Sequence, residues 1–530
     1  MKQKKILVGI LVLAAVLASS VVAFAQSEGA SITIGISVEP ISLDPAGGLY
    51  IPEQFLIQQI FDPLIAADPE LNLHPALATS WEVNDEGTEF TFTLRDDVTF
   101  HDGTKFTAEA VKVSFDRAAQ GTTPAAAAPA ILSDYIETEV VDDTTAIVKF
   151  ATPHATFLQD LSRPWLFISS PAAIEEYGED YGQNPIGSGP FILTEWAAQD
   201  HITVAKNPDY NWGPEFYTHT GPAVLDEITF RFLPEAATRL AAFQSGEAAI
   251  VQDPSYLETS QLATDPSVQV FTFAAPGMTS HQMINVEKAP TDDINVRKAL
   301  IYAVDQETIS QIAFYGLQPA AHNVISPTTW AFNQEANDLY RYDPEKAAAL
   351  LEESGWVDSN GDGIREKDGV NLHIEYPALP AYEEAFMELL ASYLQNAGFE
   401  VNITKLDDAG ISEFGAANKH NILNMGWISR DPSVLSYVYD SANIDGGNQS
   451  SYTRFRSDRL DEILETAPQT IDEEARKALY EEAQAIIMEN AIALPIHSYG
   501  SVYLADASVA GFRFDSEGFP YLYEISLAAE

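Results

Sequence analysis

Residues 76–117, ALATSWEVNDEGTEFTFTLRDDVTFHDGTKFTAEAVKVSFDR, predict a compact unit made of a strand, a turn and a helix. Apolar side chains alternate with polar ones along the strand, and a period of two indicates a single buried face; they are Phe90, Phe92 and Leu94. Turn residues stand before it at 84–87 and after it at 101–103. Thr107 can then cap a helix with one buried face. That face carries Ala110, Val111, Ser114, Phe115 and Ala118.

The same stretch resembles the signature region of the extracellular solute-binding proteins of the peptide/nickel class of ABC transporters, known as family 5. The resemblance depends on the spacing of Trp81, Phe92, Leu94, Arg95, Phe100, His101, Asp102, Gly103 and Thr107. Further blocks with family-like patterns follow in order at 184–196, 206–210, 238–251 and 295–300. The resemblance therefore covers nearly the whole chain after its first 25 residues.

The chain has 530 residues, which is too long for a single hydrophobic core. The resemblance implies an α/β, two-lobed periplasmic-binding-protein fold (class II-like) with an additional small α+β domain. We expect lobe I to comprise 31–66, 185–274 and 492–530, the small domain 67–184, and lobe II 275–491. Two crossovers would connect the lobes, and the lobes would close over a solute at this hinge.

The first 25 residues predict a secretory signal peptide. Three lysines precede an apolar run over 6–22, and Ala-Phe-Ala at 23–25 is a small-x-small cleavage pattern. We expect cleavage near Ala25. A membrane anchor is the competing interpretation, but the apolar run is short and includes two serines.

The chain contains no cysteine, which excludes disulfides and a lipid attached to a cysteine. We therefore expect a periplasmic or secreted protein that is not lipid-anchored through Cys. We also expect it to be a monomer. A free binding protein needs an outer membrane to retain it, which favours the periplasm. Loss by diffusion from a single-membrane cell is the alternative.

The charge is strongly acidic. The chain carries 78 Asp and Glu against 28 Lys and Arg, a formal net charge of −50. This excludes nucleic acid as a partner, because phosphate contacts need positive charge. Solubility is one explanation of the acidity. Adaptation to high salt, which screens the self-repulsion of so many carboxylates, is the other.

Three predicted strands at 370–374, 399–403 and 422–426 alternate with helices at 381–396 and 411–417, which predicts a parallel α/β sheet. Ligands of such sheets bind beyond the carboxyl ends of the strands. The segment after the third strand, Trp-Ile-Ser-Arg-Asp-Pro, is thus a functional candidate independently of the family. The candidate ligand-binding residues are Glu39, Met278, His281, Trp427, Ile428, Ser429, Arg430, Asp431 and Tyr499.

Four of these candidates follow from the resemblance alone. It places Glu39 after the first strand, Met278 and His281 at the first crossover, and Tyr499 at the return crossover. A solvated carboxylate and a satisfied surface histidine are the competing interpretations of Glu39 and His281.

The solute class stays open between two alternatives. Peptide-binding relatives carry Gly-Trp, two further residues and then an Asp for the peptide amine, whereas here Arg430 occupies that place. Arginine repels an ammonium group and attracts a carboxylate. A peptide or similar solute is the first expectation and an oligosaccharide stacked on Trp427 the second, while nickel complexes near His281 are a weaker one. The expected protein partners are the transmembrane permease subunits of an ABC importer.

Catalytic patterns are missing from the sequence: it has no HExxH pair, no Gly-x-Ser-x-Gly elbow and no cysteine nucleophile. We expect no enzyme activity and no cofactor, with a secreted glycoside hydrolase using two carboxylates as the remote alternative. Asp358, Asn360 and Asp362 are spaced as in the first half of a calcium loop, but position 12 is Gly369 instead of Glu. A metal-free turn is therefore favoured over a calcium site.

Overall fold

The computed structural model describes residues 30–47, 51–123, 128–445 and 451–528. The predicted signal peptide and its cleavage position lie outside the described residues. Within the described ranges, none of the helices has both the length and the apolar character needed to cross a membrane.

The first half of the chain is rich in strands. In order these elements are β1 (Ser31–Ile36), α1 (Ile51–Ile60), β2 (Ile65–Ala67), β3 (Leu73–Pro75), β4 (Ala78–Val83), β5 (Glu89–Leu94), α2 (Ala108–Gln120), α3 (Ala128–Ile131), β6 (Tyr135–Asp142), β7 (Thr145–Phe150), α4 (Phe157–Asp160), α5 (Pro171–Tyr177), β8 (Phe191–Ala197), β9 (His201–Lys206), β10 (Glu227–Phe232), α6 (Ala236–Gln244), β11 (Ile250–Gln252), α7 (Tyr256–Leu262) and β12 (Val268–Ala274).

The second half alternates helices with short strands. These elements are β13 (Ser280–Ile284), α8 (Ile294–Tyr302), α9 (Gln306–Ala313), α10 (Gln334–Asn337), α11 (Pro344–Glu353), β14 (Glu366–Lys367), β15 (Val370–Asn371), β16 (His373–Ala378), α12 (Pro380–Glu383), α13 (Met387–Asn396), β17 (Glu400–Lys405), α14 (Asp408–Ala416), β18 (Ile422–Met425), α15 (Val434–Tyr439), α16 (Ala442–Asp445), α17 (Asp458–Thr466), α18 (Glu473–Glu489), β19 (Ala493–His497), β20 (Gly500–Asp506), β21 (Val509–Ala510) and β22 (Ser526–Leu527).

A seven-stranded sheet organises the first of two large hydrophobic cores, with strand order β12-β20-β11-β1-β10-β9-β8. Strand β1 lies near its middle and pairs in parallel with both β10 and β11. Strands β10 and β11 are joined through helix α6 in a strand-helix-strand unit. The two strands run in the same direction, but they do not pair with each other. Strand β1 lies between them and pairs with both.

The stretch 76–117 folds as predicted. Strand β5 pairs with β4 and β7 in a four-stranded sheet, and Phe90, Phe92 and Leu94 are buried. All five predicted side chains of helix α2 are buried as well. One detail was wrong: the side chain of Thr107 makes no capping hydrogen bond, and the backbone N–H of Ala110 donates instead to the backbone carbonyl of Thr107 at 2.9 Å.

A second hydrophobic core contains β13, β16, β18 and β19. The predicted parallel sheet of three strands was wrong in part. Strands β16 and β17 are parallel, but β18 pairs antiparallel with β13, in a sheet of order β18-β13-β19. Next to β16, the backbone N–H of Asn421 donates to the carbonyl of Glu375 at 2.9 Å. The sheet edge beside β18 is therefore taken by a strand from far upstream in the chain.

Two crossovers connect the elements of the two cores. Strand β12 leads through 275–279 into β13, and β19 leads through 498–499 into β20. The crossovers lie side by side, since the backbone N–H of Ala275 donates to the carbonyl of Tyr499 at 2.8 Å. Both chain passages between the cores are thus short and adjacent, which is the geometry of a hinge.

Candidate functional site

The loop after β18, residues 426–431, is fixed to the first crossover by backbone contacts. The N–H of Met278 donates to the carbonyl of Trp427 at 2.8 Å, and the N–H of Ser429 donates to that of Pro276 at 3.1 Å. Gly277 permits this approach, because its φ is +100° and an added Cβ would lie 2.3 Å from the nitrogen of Ser429. Most of the predicted site residues therefore lie on one loop, against the hinge.

Trp427 presents an aromatic surface to solvent. Half of its side chain is exposed, and its ring stacks on Tyr437 with centroids 5.7 Å apart and planes 26° from parallel. Tyr437 belongs to α15 and is also partly exposed. Large exposed aromatic surfaces are unusual on a soluble protein and typically bind a partner or ligand.

Arg430 has the opposite environment. Its side chain is only 7 % exposed, and its Nη1 donates to the Ser162 hydroxyl at 2.6 Å. The same guanidinium lies 3.6 Å from a carboxylate oxygen of Asp515 and 3.4 Å from one of Glu517. Burial lowers the pKa of Arg430, but the two carboxylates outweigh this effect and raise it. Arg430 is thus a paired, permanently charged group in this arrangement.

Asp431 is also buried. Its Oδ1 accepts a hydrogen bond from the backbone N–H of Ser433 at 2.9 Å. Burial raises the pKa of the carboxyl, whereas the charge of Arg476 on α18 lowers it. The positive charge that acts on this carboxylate therefore comes from the protein itself.

His281 lies fully buried on β13. Its Nδ1 is 2.8 Å from the carbonyl oxygen of Thr279, and its Nε2 is 2.8 Å from the hydroxyl of Tyr439. Burial lowers its pKa to about 4, so the ring is neutral at pH 7. Met278 is buried in the same core. Both ring nitrogens of His281 are occupied, which is the geometry of a structural core histidine.

The remaining candidates lie on both sides of the hinge. Glu39, after β1, accepts hydrogen bonds from the indole of Trp196 at 2.9 Å and from the backbone N–H of Gln199 at 3.0 Å. Ile428 forms a backbone bridge with Gly277. Tyr499 packs its ring 5.5 Å from that of His497. Ile428 is part of the loop of Trp427, and the ring of Tyr499 lies beside Gly426 of that loop. The carboxylate of Glu39 binds Trp196 and Gln199 instead.

In the calcium-like segment at 358–364, the Asp side chains accept hydrogen bonds from backbone N–H groups of the same segment. Asp358 accepts from the N–H groups of Gly361 at 2.7 Å and Gly363 at 3.0 Å, and Asp362 accepts from Ile364 at 2.9 Å. No group of three or more His, Cys, Asp or Glu side chains suited to a metal ion occurs in the part of the chain that the structure describes. These contacts describe a tight Asx turn.

A cavity of about 70 Å³ adjoins Arg430 on the side of the first core. Its walls include four tyrosines, Tyr210, Tyr217, Tyr521 and Tyr523, together with the carboxylates of Asp62 and Asp515. Asp62 accepts hydrogen bonds from Ser188, Tyr210 and Trp212, and burial raises its pKa. The cavity has room for a few water molecules, but not for a whole peptide.

Sequence reasoning missed four contact residues: Ser162, Tyr437, Asp515 and Glu517. Asp515 carried a local signal, because its Oδ1 accepts from the N–H groups of Glu517 and Phe519 in an Asx turn. That signal predicts a turn but not its remote contact with Arg430. No pattern in the sequence pairs Tyr437 with Trp427.

The fold and the site define the extracytoplasmic solute-binding component of an ABC importer. The family model for bacterial extracellular solute-binding proteins, family 5 Middle, matches residues 72–449. The chain belongs to this family, whose members bind solutes and work with the permease subunits of ABC importers.

Known relatives match over most of their length. Heme-binding protein A of Haemophilus influenzae is 29 % identical over 496 residues, covering 89 % of this chain and 87 % of that protein. Glutathione-binding protein GsiB of Salmonella paratyphi A is 28 % identical over 505 residues, covering 94 % of both.

Solved structures show the same fold. NikA from Brucella suis, in complex with Fe(III)-EDTA, has a TM-score of 0.82 and 26 % identity, with 94 % of this chain and all of that chain covered. DppA from Helicobacter pylori, in complex with the peptide STSA, has a TM-score of 0.74 and 24 % identity, covering 94 % of this chain and 98 % of that one.

Proposed function

We propose that this protein captures a small peptide or a peptide-like solute outside the cytoplasm and delivers it unchanged to its permease. The observation that carries this proposal is the exposed stacked pair formed by Trp427, on the loop that is bound to the hinge, and Tyr437 of α15. The names of a glutathione-binding relative and of a peptide complex support the solute class.

Recognition would use ring surfaces and backbone groups near the hinge. Both carboxylate oxygens of Glu39 already accept hydrogen bonds, so Glu39 is not offered as the partner of a peptide amine. Asp431 is not offered either, because it is buried beside Arg476; its Oδ1 accepts from Ser433, and its Oδ2 has no hydrogen-bond partner among the described residues. We propose that Trp427, Ile428, Ser429 and Tyr499 line the solute site. Met278 holds this loop through its backbone hydrogen bond to Trp427, and His281 pairs with the end of β18 directly before the loop.

Several further features are proposed on the same basis. The protein acts as a periplasmic or secreted monomer after cleavage near Ala25, and it performs no catalysis. Its lobes follow the predicted division. Lobe I comprises 31–66, 185–274 and 492–530, lobe II comprises 275–491, and the small domain comprises 67–184. An oligosaccharide is the second candidate solute, because sugar rings also stack on exposed aromatic side chains.

A thermal-shift screen of the refolded mature protein tests the solute class. The panel contains di- to hexapeptides, oligosaccharides and nickel chelates. A solute at 100 times its Kd adds about 2.7 kcal/mol to the free energy of unfolding, so a ligand gives a clear shift. Peptide shifts support the proposal, sugar shifts alone support the second candidate, and hydrolysis of a panel member would overturn the binding function.

A further inference from the structure

Arg430 connects the two hydrophobic cores. It follows β18 and precedes α15, whose side chains belong to the second core. Ser162, which accepts its hydrogen bond, follows Phe157 and Leu161 of the first core. Asp515 and Glu517 precede Phe519 and Leu522, which also belong to the first core. The three contacts of this one side chain therefore all cross from one core to the other.

The charges in this contact are withdrawn from water. The side chains of Asp515 and Glu517 are 5 % and 4 % exposed, compared with 7 % for Arg430. Gln58 donates to Asp515 at 2.9 Å and orients it. A buried carboxylate without its cation is strongly unfavourable, whereas the same carboxylate in water is well solvated. Glu517 has a second cation, because Nη2 of Arg163 lies 3.5 Å from its Oε1, whereas Asp515 is paired with Arg430. When the cores are together, the buried charge of Asp515 therefore depends on Arg430 more than it does when they are separated.

We propose that Arg430 is a positioning residue for lobe closure, which holds the two cores together through Ser162, Asp515 and Glu517 and does not contact the solute. This inference rests on the proposed function, because closure matters when a solute is enclosed. Two carboxylates already flank the guanidinium, so an anionic solute group would have to displace them. The proposal predicts that loss of Arg430 weakens the binding of every solute by the same factor.

The conformational test needs no solute. Because the chain has no cysteine, the substitutions A172C on α5 and S412C on α14 create the only two sites for spin labels. Both positions are exposed. Arg430→Gln is expected to shift the measured distance distribution to longer distances in the ligand-free protein. An unchanged distribution would overturn the proposal.

The matched control is Arg454→Gln. Arg454 also contacts two carboxylates, those of Glu287 at 2.6 Å and Asp445 at 2.8 Å, close to the second core. This substitution is expected to leave the distance distribution unchanged. If Arg430→Gln does not fold, Ser162→Ala removes the hydroxyl that accepts the hydrogen bond of Arg430 and is expected to shift the distribution in the same direction.

Measurements of solute affinity then distinguish a role of Arg430 in lobe closure from a direct contact of Arg430 with the solute. With an uncharged and an anionic solute, Arg430→Gln is expected to raise both Kd values by an equal factor, on the order of tenfold. A loss confined to the anionic solute would show that Arg430 contacts the solute, and would overturn the inference. If no solute of the panel binds, the proposed function fails, while the label distances still test closure.

Discussion

The indole ring of Trp427 lies against the phenol ring of Tyr437, with 5.7 Å between their centroids and 26° between their planes. Both rings are partly exposed, although aromatic pairs are more often buried in a core. Trp427 stands on the loop that backbone hydrogen bonds attach to the first crossover, and Tyr437 stands on α15 beside it. A solute that stacks on these rings would therefore be placed at the hinge.

Trp427→Ala is expected to raise the Kd of the solute about tenfold, which corresponds to about 1.4 kcal/mol of lost binding energy. Its effect on the melting temperature is expected to be small, because half of the side chain is already exposed. Calorimetric titration and thermal unfolding measure the two quantities. Tyr342→Ala, which also removes one ring of a partly exposed aromatic pair, is the control and should leave the Kd unchanged.

Gly277→Ala is expected to destabilise the protein by about 2 kcal/mol or more and to weaken solute binding. The new Cβ would lie 2.3 Å from the nitrogen of Ser429, and the positive φ adds backbone strain. Denaturant unfolding measures the stability. Gly361→Ala is the control, since its φ is also positive but no atom lies within 4 Å of the added Cβ. Equal losses in both variants would show that the contact with the loop is unimportant.

Buried histidines make stability fall as the solution is acidified. Burial lowers the pKa of His420 to about 4, against about 6.5 for an exposed histidine. Between these values the unfolded chain binds the extra proton, so the stability that neutral His420 contributes is lost as the pH falls from 6.5 to 4. When the pH falls from 7 to 5, the free energy of unfolding of His420→Gln is therefore expected to decrease by about 2 kcal/mol less than that of the wild type.

His373 provides a control of opposite sign. Burial lowers its pKa, but Glu375 and Glu400 outweigh this effect and raise it, so protonated His373 stabilises the folded state. His373→Gln is expected to lose more stability than the wild type over the same pH range. Identical pH profiles of the wild type and both variants would contradict these assignments.

High salt is expected to stabilise the protein. The formal net charge of −50 produces self-repulsion that counter-ions screen, with a Debye length of about 30 Å at 0.01 M and about 3 Å at 1 M. The melting temperature of the mature protein should therefore rise between dilute buffer and molar sodium chloride. Equal stability in both would leave solubility as the explanation of the acidic composition.

Local patterns predicted local structure well. The period of two in β5 and the helical spacing in α2 identified their buried faces residue by residue, because these faces depend on near neighbours in the chain. The pairing of β18 with β13 was not predicted, since hydrogen-bonded strands from distant segments leave no periodic signal. For the candidate site, the position of the loop of Trp427 directly after a strand was predicted, and its role in solute binding stays a prediction. The contacts of Arg430 with Ser162 and Asp515 depend on the assembled fold.

Calorimetric titration of the refolded mature protein with the best solute of the screen, followed by chemical analysis of that solute, tests the central claim most directly. The account predicts saturable binding with one solute molecule per chain, and recovery of the solute unchanged. Conversion of the solute to a product, or the absence of binding by every member of the peptide and sugar panel, would contradict it.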